Sequence, residues 1–170
     1  MKFTNTRAIL SSLFIGFILS WGAVAMAIFL QFHAELHPCP LCIFSRLLLM
    51  GIGAIYLIWL IHLFLFKKKG HWFYFSLLAI GIGSGLALSV YHSWLMHLPP
   101  EKLPSCGPDL SYLLEVLPLH EVVIEALKGS GSCAQDKWHF LGLNFAEIGL
   151  SLYLILAGLQ VYLFSLIRKK

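Results

Sequence analysis

The chain has 170 residues, 59% of them hydrophobic and 12% charged, with a formal net charge of +4 and a mean hydropathy of +0.82. A soluble domain is nearer half apolar and a quarter charged, so a water-soluble globule is excluded. Disorder, which needs low hydrophobicity and high charge, is excluded with it. What remains is a small all-α integral membrane protein, read as a single domain over residues 1–170.

A membrane-spanning helix needs about 20 mostly apolar residues. Four stretches qualify: 8–30, 43–66, 72–95 and 143–167. Each reads as a helix, because a lone strand cannot satisfy its backbone polar groups in lipid. The first begins after Lys2 and Arg7 and contains Ala23-Val24-Ala25, a pattern also found at signal-peptide cleavage sites. Its apolar run continues through Met26 to Leu30, which favours an uncleaved helix. The second and third stretches are joined by Lys67-Lys68-Lys69-Gly70-His71 and form an antiparallel hairpin. Gly81 and Gly85 of the third form a G-x-x-x-G, read as a packing face where backbones approach closely.

Charge placement orients the bundle. Lys2, Arg7, Lys67, Lys68, Lys69, Arg168, Lys169 and Lys170 fall on one side if the four helices alternate. The other side carries Arg46, Lys102, Lys128 and Lys137, with all eight acids on or near it. Basic residues favour the cytoplasmic face, so both termini are expected in the cytoplasm. Two outer loops follow, 31–42 and 99–142. The +4 is then +8 inside against −4 outside; it sets topology and does not recruit nucleic acid.

All four cysteines fall on the outer side. Cys39 and Cys42 form Cys39-Pro40-Leu41-Cys42, and Cys106 and Cys133 lie in the long loop with 26 residues between them. Three readings compete. A structural Cys106–Cys133 staple would stabilise the loop by roughly 3–4 kcal/mol, but it leaves the C-x-x-C unexplained. A zinc site of four thiolates ordinarily uses two C-x-x-C knuckles, and the second pair is far too widely spaced; no metal is expected. A redox reading, in which two disulfides on neighbouring loops exchange by thiolate attack, accounts for both pairs and their shared side.

Local chemistry favours the redox reading. Cys42 stands at the start of the second helix, where unpaired N–H groups and the helix dipole favour a thiolate. Arg46 is one turn further on and shares its face. A cation inside an apolar span is a functional-site hypothesis; the alternative is that it snorkels to lipid phosphates.

The electrons need an acceptor. No iron–sulfur cysteine run or dinucleotide fingerprint is present. His62 and His92 lie at opposite ends of the hairpin and cannot grip one haem. Of the eight histidines, His92 is best placed to line a site near Cys42 and Arg46. A lipid-dissolved quinone fits physically, with Arg46 stabilising the negative charge that develops on it.

These residues resemble the DsbB family, the quinone-coupled thiol oxidases of the bacterial inner membrane. Pro38-Cys39-Pro40-Leu41-Cys42 followed by Arg46 is similar to the family's C-x-L-C-x-x-x-R. Gly131-Ser132-Cys133-Ala134, with Trp138, Phe140, Leu141, Gly142 and Leu143, is similar to its G-x-C-A…W-x-F-L-G-L segment. Cys106 falls where the other loop cysteine is expected, and the likeness covers nearly the whole chain.

The resemblance implies a four-helix bundle with two cysteine-bearing periplasmic loops, and a relay through them. A reduced DsbA-like thioredoxin-fold oxidase attacks Cys106 of a Cys106–Cys133 disulfide. Cys133 then attacks Cys39, and Cys42 is released beside the quinone (ubiquinone or menaquinone), Arg46 and His92. Re-formation of Cys39–Cys42 passes electrons to the membrane quinone pool. The family's order also implies a monomer and a short interfacial helix. Here Val116, Leu119, Val123 and Leu127 supply an apolar face at helical spacing, with Glu121 and Glu125 on another. The Pro-Leu dipeptide between the first cysteines leaves open a DsbI-like paralogue with a dedicated partner.

Two rival functions remain. One is a non-catalytic membrane protein with a structural outer disulfide, in which Cys39 and Cys42 are dispensable. The other is a vitamin K epoxide reductase-like quinone reductase. That family resembles this chain in its helix number and C-x-x-C but places the motif late, whereas here it precedes the second span.

Overall fold

The computed structural model describes residues 3–33, 39–66, 71–98, 115–128, 139–140 and 143–168. Helix α1 runs Phe3–His33, α2 Pro40–Phe66 and α3 His71–Met96. A short α4, Leu119–Lys128, precedes two-residue strands β1, His139–Phe140, and β2, Leu143–Asn144. Helix α5, Phe145–Arg168, completes the chain. Helices α1, α2, α3 and α5 are each long and apolar enough to cross a membrane.

These four form a closed bundle. Helix α1 packs on α2, α2 on α3, α3 on α5, and α5 back on α1. The shared core holds Leu13, Ile52, Tyr56, Trp59, Leu78, Tyr153, Leu156 and Leu163, all buried. The outer surface is equally apolar, with Phe64 79% and Ile80 70% exposed. That is the inverse of a soluble protein, and it fits a bundle whose solvent is hydrocarbon.

Some polar groups inside the bundle are satisfied by backbone carbonyls, within a helix or across to its neighbour. Ser20 Oγ donates to Gly16 O at 2.8 Å, and Gln160 Nε2 donates across helices to Phe75 O at 2.9 Å. The G-x-x-x-G of α3 serves two neighbours at once. A Cβ at Gly81 would lie 3.1 Å from Ile52 of α2, and one at Gly85 would overlap the Tyr153 ring of α5. Its role is helix packing, as expected.

The helix ends differ from the expected spans for identifiable reasons. Helix α1 continues past Leu30 to His33 and so takes Gln31 into the helix; the apolar window measures hydrocarbon thickness, not hydrogen-bonded length. Helix α2 begins at Pro40, not Ile43, because proline suits the first helical position. Helix α5 begins at Phe145, not Leu143. Leu143 and Asn144 pair antiparallel with Phe140 and His139, and the Asn144 N–H donates to Glu147 Oε2 at 2.9 Å. The pattern Asn144-x-x-Glu147 is half of a capping box.

The expected amphipathic segment forms as α4, and it touches α2. Among the described side chains of this segment Val122 is buried and Val123 of the expected face is half-buried, whereas Val116 is 60% exposed. Val116 lies before Pro118, outside the continuous helix, and cannot share its periodicity.

Candidate functional site

The site is built at the first turn of α2. Cys39 is the residue just before the helix: its carbonyl accepts from the Ile43 N–H at 3.1 Å. Pro40 follows at the position where a missing N–H costs nothing. The Cys42 N–H then donates to Cys39 Sγ at 3.2 Å. This is the N-cap geometry usually supplied by a serine or aspartate oxygen, here supplied by sulfur. Sequence reasoning placed the helix terminus beside Cys42; the structure places its amide against the sulfur of Cys39.

The same turn brings the two sulfurs to 2.8 Å from each other. Both side chains are half-buried. Leu41 between them is fully buried and packs with Leu95 of α3, with Leu88, Tyr91 and Leu98 around them. The leucine of the motif is thus the anchor that seats the cysteine turn on the hairpin partner.

His92 of α3 is 5% exposed. Its Nε2 lies 3.8 Å from Cys39 Sγ. The ligand atoms of Cys39, Cys42 and His92 all fall within 4.8 Å of one another, close enough to share one metal ion. His92 was expected to flank Cys42 and Arg46; its ring lies 3.8 Å from Cys39 Sγ and within 4.8 Å of the Cys42 sulfur.

Arg46 follows one turn below Cys42. Its Nη1 donates to Gln31 Oε1 at 2.5 Å, and its Nη2 to Ala27 O at 3.4 Å. The guanidinium is therefore tied to α1 instead of extending to lipid phosphates. Among the described residues the ion pairs are His97–Glu147 and His120–Glu121, so no carboxylate neutralises Arg46 there. Tyr153 of α5 fixes the same stretch from the other side. Its hydroxyl donates to Ser45 O at 3.0 Å while its ring lies over Gly85.

Gln31, Leu41, Ser45 and Tyr153 were not singled out from sequence. Gln31 carried a signal, since it is a polar residue at the end of an apolar run. Tyr153 carried none, because one tyrosine in a span does not announce its partner. Cys106 and Cys133 lie outside the described residues.

The model of the family "Disulfide bond formation protein DsbB" matches residues 10–163, a range containing all four cysteines. The chain belongs to the DsbB family. Among curated relatives, Disulfide bond formation protein B of Psychrobacter sp. (strain PRwf-1) is 44% identical over 165 residues, covering 92% of each chain. The protein of the same name from Acinetobacter baumannii (strain ATCC 17978) is 40% identical, covering 85% of this chain and 83% of the relative. That of Marinobacter nauticus is 39% identical, covering 86% and 88%. Membership makes the chain a multi-pass membrane protein of disulfide bond formation and a disulfide-forming oxidoreductase.

Proposed function

We propose that this chain oxidises a DsbA-like periplasmic dithiol oxidase and delivers the electrons to membrane quinone. The observation that carries the reading is the stack at the head of α2. Two sulfurs lie 2.8 Å apart, with a cation one turn below them that is held by an amide oxygen and a backbone carbonyl.

The residues fit a quinone. Arg46 presents positive charge without a carboxylate partner among the described residues, which suits a group that gains negative charge on reduction. Leu47 and Met50, on the same stretch of α2, are exposed on the apolar surface and give a lipid-soluble molecule a route from the bilayer. When bound, a quinone supplies an acceptor for two electrons and two protons.

The protein's own part is to present the thiols. The partner's dithiol reduces Cys106–Cys133; Cys133 attacks Cys39 and releases Cys42 above Arg46, and Cys106 then attacks Cys133, re-forming their disulfide and leaving Cys39 and Cys42 as a dithiol. The turn through Pro40 and Leu41 holds the Cys39 and Cys42 sulfurs in register, and joining them as a disulfide gives up two electrons and two protons. His92, buried against Cys39, excludes water from the sulfur and restricts its approach. The four helices share one core, which supports a monomer as the working unit. The basic residues on one side of the bundle support cytoplasmic termini and periplasmic cysteines, in a bacterial inner membrane.

The test uses purified protein, a reduced thioredoxin-fold partner and a water-soluble quinone. Loss of quinone absorbance is expected, and the Cys42→Ser variant should show none. Equal loss with Cys42→Ser would sink the relay.

A further inference from the structure

The relay uses Cys39 and Cys42 as an electron pair and leaves the third member of their cluster, His92, with a subsidiary task. Yet the three side chains together have the donor set of a soft metal site. Two sulfurs and one imidazole nitrogen lie within 4.8 Å of one another, and the nitrogen belongs to a side chain only 5% exposed. We propose that the reduced Cys39–Cys42 pair and His92 form a redox-gated site for a thiophilic d¹⁰ cation such as Zn²⁺ or Cd²⁺, and that occupancy blocks reoxidation of the dithiol.

The geometry is close to what such an ion needs. With Zn–S near 2.3 Å and Zn–N near 2.0–2.1 Å in a tetrahedron, the sulfur–nitrogen edge is roughly 3.6 Å and the sulfur–sulfur edge roughly 3.8 Å. The Cys39 Sγ to His92 Nε2 separation is already 3.8 Å. The two sulfurs, at 2.8 Å, must part by about 1 Å, which a change at the half-buried Cys42 side chain can supply. Three protein ligands leave a fourth position for water, the open arrangement of Cys₂His sites.

Charge agrees. Binding replaces two thiol protons by one dication, so the bis-thiolate complex with neutral His92 has no net charge. A neutral complex adds no repulsion toward Arg46 one turn below, and it limits the cost of burying charge at the head of the bundle. The four-thiolate site weighed from sequence fails on spacing; this one needs neither Cys106 nor Cys133. Redox gating follows from charge: the sulfurs of a Cys39–Cys42 disulfide are neutral and weakly basic, whereas the thiolates of the reduced pair are the ligands a metal takes. The metal therefore sequesters one redox state. The block on turnover rests on the proposed relay; the binding itself does not.

The binding experiment uses the full chain carrying Cys106→Ser and Cys133→Ser in detergent, reduced with a phosphine and titrated with Cd²⁺ alone. Expected are one Cd²⁺ per chain, ultraviolet sulfur-to-cadmium charge transfer, and no uptake after oxidation to the Cys39–Cys42 disulfide. His92→Ala should weaken binding by about tenfold or more, and His92→Cys, which restores a soft ligand, should recover it. Uptake by the oxidised chain, or His92→Ala and His92→Cys both binding like the parent, would overturn the site. If His92→Ala does not fold, the comparison of reduced with oxidised parent decides. In the chain with all four cysteines, Zn²⁺ should stop quinone reduction and a chelator should restore it. Absent quinone reduction with Cd²⁺ binding intact breaks the relay and keeps the site; normal quinone reduction with no Cd²⁺ binding breaks the site alone.

Discussion

The two ends of the α2–α3 hairpin each bring histidine against a neighbouring helix, and they do different things with it. At the loop end, His62 Nδ1 meets the Tyr74 hydroxyl at 3.2 Å. Trp59 stacks on Tyr74 with centroids 5.8 Å apart and lies 6.1 Å from the His71 ring. That end is an aromatic cluster with hydrogen bonds inside it. At the other end His92 faces sulfur, and Arg46 and the helix N-terminus concentrate positive potential within one turn. A histidine in a membrane span is thus no signal of chemistry by itself. What separates the ends is the company: aromatic rings in one case, a cysteine turn and the Arg46 guanidinium in the other.

The contrast can be broken most directly at sulfur. Cys42→Ser should reduce quinone turnover to the level of a blank, measured by quinone absorbance with a reduced thioredoxin-fold partner. A weaker break is at charge. Arg46→Ala should raise the apparent quinone KM by about tenfold or more, the loss of one charge-assisted hydrogen bond. An unchanged KM would leave Arg46 a purely structural tie between α1 and α2. Gln31→Ala should raise the same KM less, by about two- to tenfold, because it frees the guanidinium without removing it. An effect larger than that of Arg46→Ala would show that Gln31 acts on its own account. The smallest effect belongs to the opposite end. Tyr74→Phe removes the bond to His62 and should cost about 0.5–1.5 kcal/mol of stability with KM and kcat unchanged. Thermal unfolding in detergent and the quinone assay together check both halves; a changed KM would mean the two ends are coupled.

Much of this contrast was legible in the linear chain. Cys39-Pro40-Leu41-Cys42 at the edge of an apolar span marked the cysteine turn, and Arg46 stood out as a charge in an apolar stretch. The hairpin of 43–66 with 72–95 already set His62 and His92 at opposite ends. The partners were not legible. Gln31 reaches Arg46 only because α1 runs a turn further than its apolar window. Val122 is buried only because α4 docks on α2. Tyr153 reaches Ser45 only because Gly85 leaves room for its ring.

Hydrocarbon is an exacting solvent, and this is why composition alone determined so much. Any stretch of some twenty apolar residues must close its own backbone hydrogen bonds, so the number and kind of the spans follow from residue order. Hydrocarbon is also indifferent to which apolar face meets which, because lipid is as apolar as the helix it surrounds. Register and rotation are left to close packing and to the few polar groups that must find one another. Only the tertiary structure could decide that Cys39 caps the helix, that His92 stands against its sulfur, and that Arg46 answers to Gln31.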